Sequence, residues 1–125
     1  MNDFETQHLL LVDDEAGFRE AIAERLTDHG YRVEQAGSGE AALERLGDFA
    51  FDILVVDLRL PGGPDGEAMR RLARRYPGIP MLVVTAYPDP PPLPHAGFFS
   101  KPFDTGQLLA AVERLHRTQA DATAR

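Results

Sequence analysis

The chain contains four short segments that are almost continuously apolar and a fifth in which apolar and polar residues alternate. The continuous segments are residues 8–14, 51–57, 81–86 and 97–101. Runs of this length and character are typical of parallel strands that are covered on both faces. The alternating segment, residues 31–36, has the pattern of a strand at the edge of a sheet. The sequence therefore predicts a sheet of five strands.

Apolar residues recur at helical spacing between most of these segments. Phe18, Ile22 and Leu26 predict the inner face of a helix over residues 15–29, which Gly30 ends in a left-handed conformation. Three more helices are predicted over residues 38–46, 66–76 and 104–117, with N-caps at Ser38, Asp65 and Asp104 and with Gly47 closing the first of the three.

Strands and helices alternate along the chain, which indicates an α/β fold. Such alternation favours a parallel sheet with right-handed crossovers and with helices on both faces. A length of 125 residues suits one domain. We expect this domain to span residues 1–119, and residues 120–125 to form a flexible C-terminal tail because they are small or polar.

The connection between the fourth and fifth strands lacks a helical pattern. It contains the prolines Pro88, Pro90, Pro91, Pro92 and Pro94. A proline in a helix interior costs about 3 kcal/mol, so several in one short segment exclude a helix. The prediction is therefore a fold with about four helices, in which a proline-rich loop replaces the helix before the last strand.

Composition excludes several classes of function. The absence of cysteine removes disulfides, thiolate zinc sites and thiol nucleophiles. A net charge of −7 argues against direct binding of nucleic acid through its phosphates. No apolar run has the length of a membrane span and the N-terminus does not resemble a signal peptide, so we expect no membrane association and a cytoplasmic location.

Polar residues follow the strands at their carboxyl ends. Asp13 and Asp14 follow the first strand, Asp57 the third, Thr85 the fourth and Lys101 the fifth. Ligands of open parallel sheets bind at the carboxyl ends of the strands, where the strand order reverses. If the strand order is 2-1-3-4-5, the first and third strands flank that point. We therefore expect the three carboxylates to converge.

Converging carboxylates repel one another unless a cation holds them, and Mg²⁺ is commonly bound by carboxylates together with phosphate oxygens. The hydroxyl of Thr85 and the ammonium of Lys101, the only lysine beside twelve arginines, are suited to phosphoryl oxygens. The pattern predicts a phosphoryl-transfer site that contains Mg²⁺ and a carboxylate nucleophile.

The sequence resembles the receiver domain of two-component response regulators over almost its whole length. The matching pieces are "LLVDDE", "DILVVDLRLPGGPDG", "MLVVTA" and "FFSKPF". This resemblance implies a flavodoxin-like, doubly wound, five-stranded parallel sheet. It also implies a function: the chain takes a phosphoryl group from the phosphohistidine of a sensor histidine kinase or phosphotransfer protein and then switches protein–protein contacts. It is no enzyme beyond catalysing its own phosphorylation and dephosphorylation.

The resemblance also assigns roles to the acidic residues. It implies that Asp57 is the phosphoacceptor and that Asp13 and Asp14 hold Mg²⁺ together with Asp57 and the backbone carbonyl of Arg59. Arg59 and Tyr87 lie two residues past Asp57 and Thr85, and both are bulky enough to slow dephosphorylation by screening water.

Further roles follow from the resemblance at the other strand ends. Thr85 and Lys101 contact the phosphate, and Phe98 is the aromatic residue of the switch. The bond between Lys101 and Pro102 resembles the cis peptide of the family.

Other interpretations explain parts of the pattern. An Asp at a strand end is often only a helix cap, and this applies to Asp14. A dehalogenase-type phosphatase would need a second acid where Arg59 stands, and a flavodoxin would need a Ser/Thr-rich loop where Asp13, Asp14 and Glu15 stand. The remaining alternative is an interaction module of receiver fold whose output is uncoupled from phosphorylation. The downstream protein partner is unknown, and a weak homodimer is left open.

Overall fold

The structure is a computed structural model that describes the backbone of residues 7–57, 67–85, 97–100 and 105–124. In chain order its elements are β1 (His8–Val12), α1 (Ala16–Asp28), β2 (Arg32–Ala36), α2 (Gly39–Asp48), β3 (Ile53–Val56), α3 (Glu67–Arg75), β4 (Met81–Thr85), β5 (Gly97–Ser100) and α4 (Thr105–Ala124). Each predicted strand and helix has a counterpart.

The five strands form one parallel sheet in the order β2-β1-β3-β4-β5. The α/β doubly wound fold and its strand order are thereby confirmed. β2 lies at one edge of the sheet, as its alternating pattern predicts, and Arg32 in it is exposed. β1 and β3 are neighbours in the centre, with Val12 opposite Val56. The residues that follow these two strands therefore emerge side by side.

The core has two halves, one on each face of the sheet. Leu9 and Leu11 of β1 belong to the half that includes residues of α1 and α4, whereas Leu10 and Val12 belong to the half that includes residues of α2 and α3. All four side chains have no exposed surface. Because helices cover both faces, both sets of alternating residues are buried, and this accounts for the continuously apolar strands.

Two of the predicted helix boundaries are confirmed. Gly30 follows α1 with φ of 94°, and this left-handed conformation favours glycine. The Ser38 hydroxyl accepts a hydrogen bond from the Ala41 backbone N–H at 3.1 Å, and therefore caps α2.

Two helices run further than predicted. Gly47 does not end α2, because the helix continues to Asp48 and the Phe49 N–H donates to the Arg45 carbonyl oxygen at 2.9 Å, a helical bond that spans the glycine. α4 continues to Ala124, past residue 117. Its final residues include several alanines, which have the highest helix propensity. The flexibility of residues 120–125 and the boundary of the domain at residue 119 stay predictions.

Three predictions lie outside the described residues: the caps at Asp65 and Asp104, and the proline-rich crossing over 86–96. Among the helices of the described part, none combines the length and the apolar character that crossing a lipid bilayer requires.

Candidate functional site

Asp13 and Asp57 occupy equivalent places immediately beyond two neighbouring strands. The backbone N–H of Asp57 donates to the Val12 carbonyl oxygen at 2.9 Å, and that of Asp13 donates to the Ala36 carbonyl oxygen at 3.1 Å. These bonds prolong the ladders of the sheet by one residue. The rigid centre of the fold therefore fixes the backbone of both aspartates.

The three predicted carboxylates do converge. One carboxylate oxygen from each of Asp13, Asp14 and Asp57 lies within 4.8 Å of the other two. Asp13 and Asp57 are 0% and 4% exposed, whereas Asp14 is exposed to solvent. We call these three residues the acidic cluster. Its buried base and open rim leave one side through which a ligand can approach.

The donor set of the acidic cluster fits a hard divalent cation. All of its donors are carboxylate oxygens, the ligands that Mg²⁺ prefers, and their spacing allows one ion to contact more than one of them. Three like charges at this separation also repel one another, and a bound cation relieves that repulsion.

The loop after β1 is held by Asp13 itself. The Asp13 Oδ1 accepts a hydrogen bond from the backbone N–H of Glu15 at 2.9 Å. Glu15, not Asp14, is the N-cap residue of α1, and the Glu15 side chain makes no capping hydrogen bond. The interpretation of Asp14 as a helix cap is therefore wrong, and its exposed carboxylate lies in the acidic cluster instead.

Arg19 is a residue of the site that the sequence pattern did not reveal. Its Nη1 donates to the backbone carbonyl oxygen of Asp13 at 2.8 Å, and its Nε donates to Oε1 of Gln35 at 3.0 Å. A Cβ atom at Gly37 would come within 3.3 Å of the same Nη1. The guanidinium therefore ties α1 to the loop that carries Asp13 and to the end of β2. The signal available in the sequence was its position in the first turn of the helix that follows the two aspartates.

The other predicted site residues are placed only in part. Thr85 ends β4 and is paired with Ser100, while Phe98 lies in β5 opposite Val83. Their backbones are described, but the side chains of Thr85 and Phe98 are not among the described groups. The predicted roles of Arg59, Tyr87, Lys101 and Pro102 fall outside the described residues.

Comparison with known proteins identifies a family. The model of the response regulator receiver domain matches residues 9–113. A response regulator receiver protein of Anaeromyxobacter sp. (strain Fw109-5) is 48% identical over 106 residues, which are 85% of this chain and 44% of that protein. The transcriptional regulatory protein GlrR of Escherichia coli (strain K12) is 34% identical over 122 residues, which are 93% of this chain and 28% of that protein.

A solved structure that is similar to this chain also belongs to a response regulator. The response regulator protein TrrA of Thermotoga maritima, solved in complex with Mg²⁺ and BeF, superimposes with a TM-score of 0.77 at 27% identity, covering 88% of this chain and 99% of that one. The chain spans less than half the length of the two relatives named above.

Proposed function

Because the chain belongs to the response regulator receiver domain family, the phosphoacceptor domains of two-component signalling, we propose that Asp57 is the residue that accepts the phosphoryl group. The observation that carries this proposal is the convergence of Asp13, Asp14 and Asp57 at the carboxyl ends of β1 and β3. Asp57 belongs to the buried base of the acidic cluster, next to the site for a cation.

The proposed reaction transfers a phosphoryl group between two side chains. A carboxylate oxygen of Asp57 forms a bond to phosphorus, while the bond from phosphorus to the histidine nitrogen of the donor breaks. The nitrogen keeps the electron pair and takes up a proton. Asp13 and Asp14 would hold Mg²⁺ together with Asp57 and the backbone carbonyl oxygen of Arg59. When bound, this ion supplies positive charge that offsets the carboxylates and the incoming phosphoryl group.

The ends of β4 and β5 contribute to the proposed site through polar groups. In this proposal the Thr85 hydroxyl and the Lys101 ammonium would bind phosphoryl oxygens, and the cis peptide that the family resemblance implies before Pro102 would direct Lys101 inward. Phe98 follows Thr85 when phosphorylation changes the contacts of the domain. The position of Thr85 and Phe98 on adjacent strands supports this coupling.

The lifetime of the phosphorylated form is proposed to depend on Arg59 and Tyr87. Hydrolysis requires a water molecule in line with the bond that breaks, and two bulky side chains near that path hinder its approach. We expect slow dephosphorylation, and a faster loss of phosphate when both residues are replaced by alanine.

The proposed partners are a sensor histidine kinase or phosphotransfer protein as donor and an unidentified protein as recipient of the signal. Phosphohistidine donors are made with ATP, which supports a cytoplasmic location. The chain is proposed to catalyse only its own phosphorylation and dephosphorylation. The comparisons do not favour the alternative of an output uncoupled from phosphorylation.

Intact-mass measurement with acetyl phosphate as donor tests this proposal. The chain should gain the mass of one phosphoryl group in the presence of Mg²⁺ and none when the ion is chelated. Asp57→Asn should gain none under either condition. Asp28→Asn, which replaces an exposed aspartate at the end of α1, is the matched control and should react like the parent.

A second variant separates the acceptor from the metal ligands. Asp14→Asn should still accept phosphate on Asp57, but more slowly and with a higher Mg²⁺ requirement. If Asp57→Asn gains phosphate as readily as the parent, the acceptor lies elsewhere.

A further inference from the structure

An open groove lies between α2 and α3, and none of its lining residues belongs to the acidic cluster. Its volume is about 570 Å³, and it is lined by Leu43, Gly47, Arg71, Arg74, Arg75 and Tyr76. These residues extend from the middle to the carboxyl end of each helix and include Tyr76, the residue after α3. Helices of this fold run antiparallel to the strands. The carboxyl ends of α2 and α3 therefore lie near the amino-terminal ends of the strands, at the opposite end of the sheet from the acidic cluster.

The groove is basic although the chain carries a net charge of −7. Arg71, Arg74 and Arg75 are exposed, and the spacing of three and four residues places them on one side of α3. In the part of the chain that the structure describes, no carboxylate lies within 4.0 Å of the guanidinium nitrogens of Arg71 or Arg75. Among the described side chains, no ion pair neutralises these two cations.

Cations at the carboxyl end of α3 also complement the helix dipole. This effect explains why arginines are favourable there, but it does not explain the space between the helices. That space depends on a residue of α2.

Gly47 keeps the groove open. The structure places it inside α2, where glycine is less favourable than other residues, and its φ is not positive. A Cβ atom at this position would meet no atom within 4 Å. Neither the backbone conformation nor close packing requires glycine here. The consequence of its missing side chain is open volume next to Leu43 and the arginines.

We infer that this groove binds a small phosphate-bearing ligand. The forked guanidinium groups of Arg71 and Arg75 match phosphate oxygens in geometry and charge. Leu43 and the half-buried Tyr76 provide an apolar and aromatic wall against which the organic part of such a ligand can pack. A volume of 570 Å³ lies within the usual range of ligand sites.

A small ligand fits these observations better than a polymer. A nucleic acid would extend beyond the groove over a chain of net charge −7, whereas a small anion responds mainly to charges within about 10 Å. An acidic helix would need a series of apolar contacts along the groove, and Leu43 is the only aliphatic side chain among the described residues that line it.

Calorimetric titration of the full chain with ATP and, separately, with tripolyphosphate tests the inference. Both titrations are done at low ionic strength with a chelator present, so that the acidic cluster has no Mg²⁺ through which to bind phosphate. We expect ATP to bind with a Kd tighter than about 1 mM and to bind less tightly as salt is added. Amide NMR shifts should change at residues 43–48 and 71–76. Tighter binding of ATP than of tripolyphosphate would show that the aromatic wall contributes.

Two variants locate the site. Arg71→Gln with Arg75→Gln should weaken ATP binding by roughly tenfold or more, because two charge-assisted contacts are lost. The matched control, Arg25→Gln with Arg32→Gln, removes the same charge from two exposed arginines elsewhere and should change affinity much less. Gly47→Met keeps every charge but fills the open volume, and should also weaken binding.

The inference is independent of phosphorylation, since Asp57→Asn should bind ATP like the parent. Absence of ATP binding in the folded parent would overturn it. Equal losses in the two double variants would overturn it as well, because binding would then reflect total charge. If a hepta-glutamate peptide binds and neither ATP nor tripolyphosphate does, the groove is a protein-docking surface, and the inference of a phosphate-ligand site is wrong.

Discussion

Arg19 stabilises the loop of the acidic cluster without contributing a carboxylate to it. Because Nη1 and Nε bind two different segments, the side chain fixes the distance between the Asp13 loop and the end of β2. We predict that Arg19→Ala lowers the free energy of unfolding by about 1.5–3 kcal/mol, the usual contribution of a hydrogen bond that involves a charged group. It should also weaken Mg²⁺ binding severalfold through misplacement of Asp13.

Urea unfolding without Mg²⁺ and calorimetric Mg²⁺ titration measure the two effects of the Arg19 substitution. Arg19→Lys should recover only part of each, since one ammonium cannot span both acceptors with the geometry of a guanidinium. Arg25→Ala, at an exposed position of the same helix, is the control. If the three variants bind Mg²⁺ equally, Arg19 has only a structural role.

Ionisation of the Tyr31 phenol makes the stability of the fold depend on pH in the alkaline range. Its burial and the negative charge of Glu113 raise the pKa of its phenol above the usual value near 10, and Arg117 opposes this with a smaller effect. Above pH 10 the unfolded chain loses the phenolic proton while the folded chain still retains it. The contribution of Tyr31 to stability is therefore complete below pH 10, and we predict that it is lost as pH rises through the folded pKa.

Ultraviolet titration of tyrosinate checks this prediction in a variant where Tyr76 and Tyr87 are replaced by phenylalanine. Glu113→Gln should lower the pKa of Tyr31, whereas Glu44→Gln on α2 should not change it. A Tyr31 pKa at or below that of the unfolded chain would contradict the prediction.

At the scale of residues, the sequence predicted those site residues that directly follow a strand. Asp13, Asp14 and Asp57 follow recognisable strands, so their convergence could be inferred from strand order alone. Arg19 could not be inferred in this way. One of its acceptors is a backbone carbonyl and the other is a side chain of the edge strand, and both contacts depend on how α1 is rotated against the sheet.

At the scale of elements, Gly30 and Gly47 show why one helix end was predicted and another was not. Both glycines follow an amphipathic pattern, but only Gly30 has a positive φ. The sequence motif of a C-terminal glycine does not reveal whether the backbone turns left-handed there or stays helical. That choice depends on the next helical bond, which the Phe49 N–H provides at α2.

The same substitution at these two glycines should have opposite effects. Gly30→Ala should destabilise the chain by about 1–2 kcal/mol, since an alanine side chain is strained at positive φ. Gly47→Ala should stabilise it by a few tenths of a kcal/mol, up to about 1 kcal/mol, because alanine favours the helix. A Cβ atom at either position meets nothing within 4 Å, so steric clash does not confuse the comparison.

Thermal and urea unfolding of the two alanine variants measure these changes. Ser38→Ala is a useful reference for a lost helix cap, with an expected cost of about 1 kcal/mol. Equal losses at Gly30 and Gly47 would mean that both glycines end their helices.

At the scale of the molecule, the alternation of strands and helices predicted a parallel sheet with helices on both faces, but several strand orders satisfy that alternation. The resemblance to receiver domains implied the order 2-1-3-4-5, and the structure confirms it. This order places the acidic cluster at the reversal between β1 and β3. It says nothing about the groove between α2 and α3, since the shape of the groove depends on side chains and on one missing side chain at Gly47.

The acidic cluster should lower the stability of the whole molecule when no cation is bound. Two unit charges 4 Å apart repel by about 1 kcal/mol in water and by about 4 kcal/mol at the effective screening of a protein surface. The oxygens of the acidic cluster lie within 4.8 Å of one another, and two of the three side chains are buried. Because unfolding separates Asp57 from Asp13 and Asp14, removing the charge of Asp57 should stabilise the folded chain.

Asp57→Asn is predicted to raise the free energy of unfolding by about 1–2 kcal/mol in the absence of Mg²⁺, because it removes a repelling charge while keeping the side-chain shape. Adding Mg²⁺ should raise the Tm of the parent, since the ion binds the folded chain preferentially, and should raise that of Asp57→Asn much less. Calorimetric melting with and without the ion measures both effects. Glu24→Gln, which removes an exposed charge of α1, should leave stability and its Mg²⁺ dependence nearly unchanged. If Asp57→Asn is less stable than the parent without Mg²⁺, the carboxylate makes stabilising contacts that outweigh the repulsion, and the acidic cluster is not under electrostatic strain.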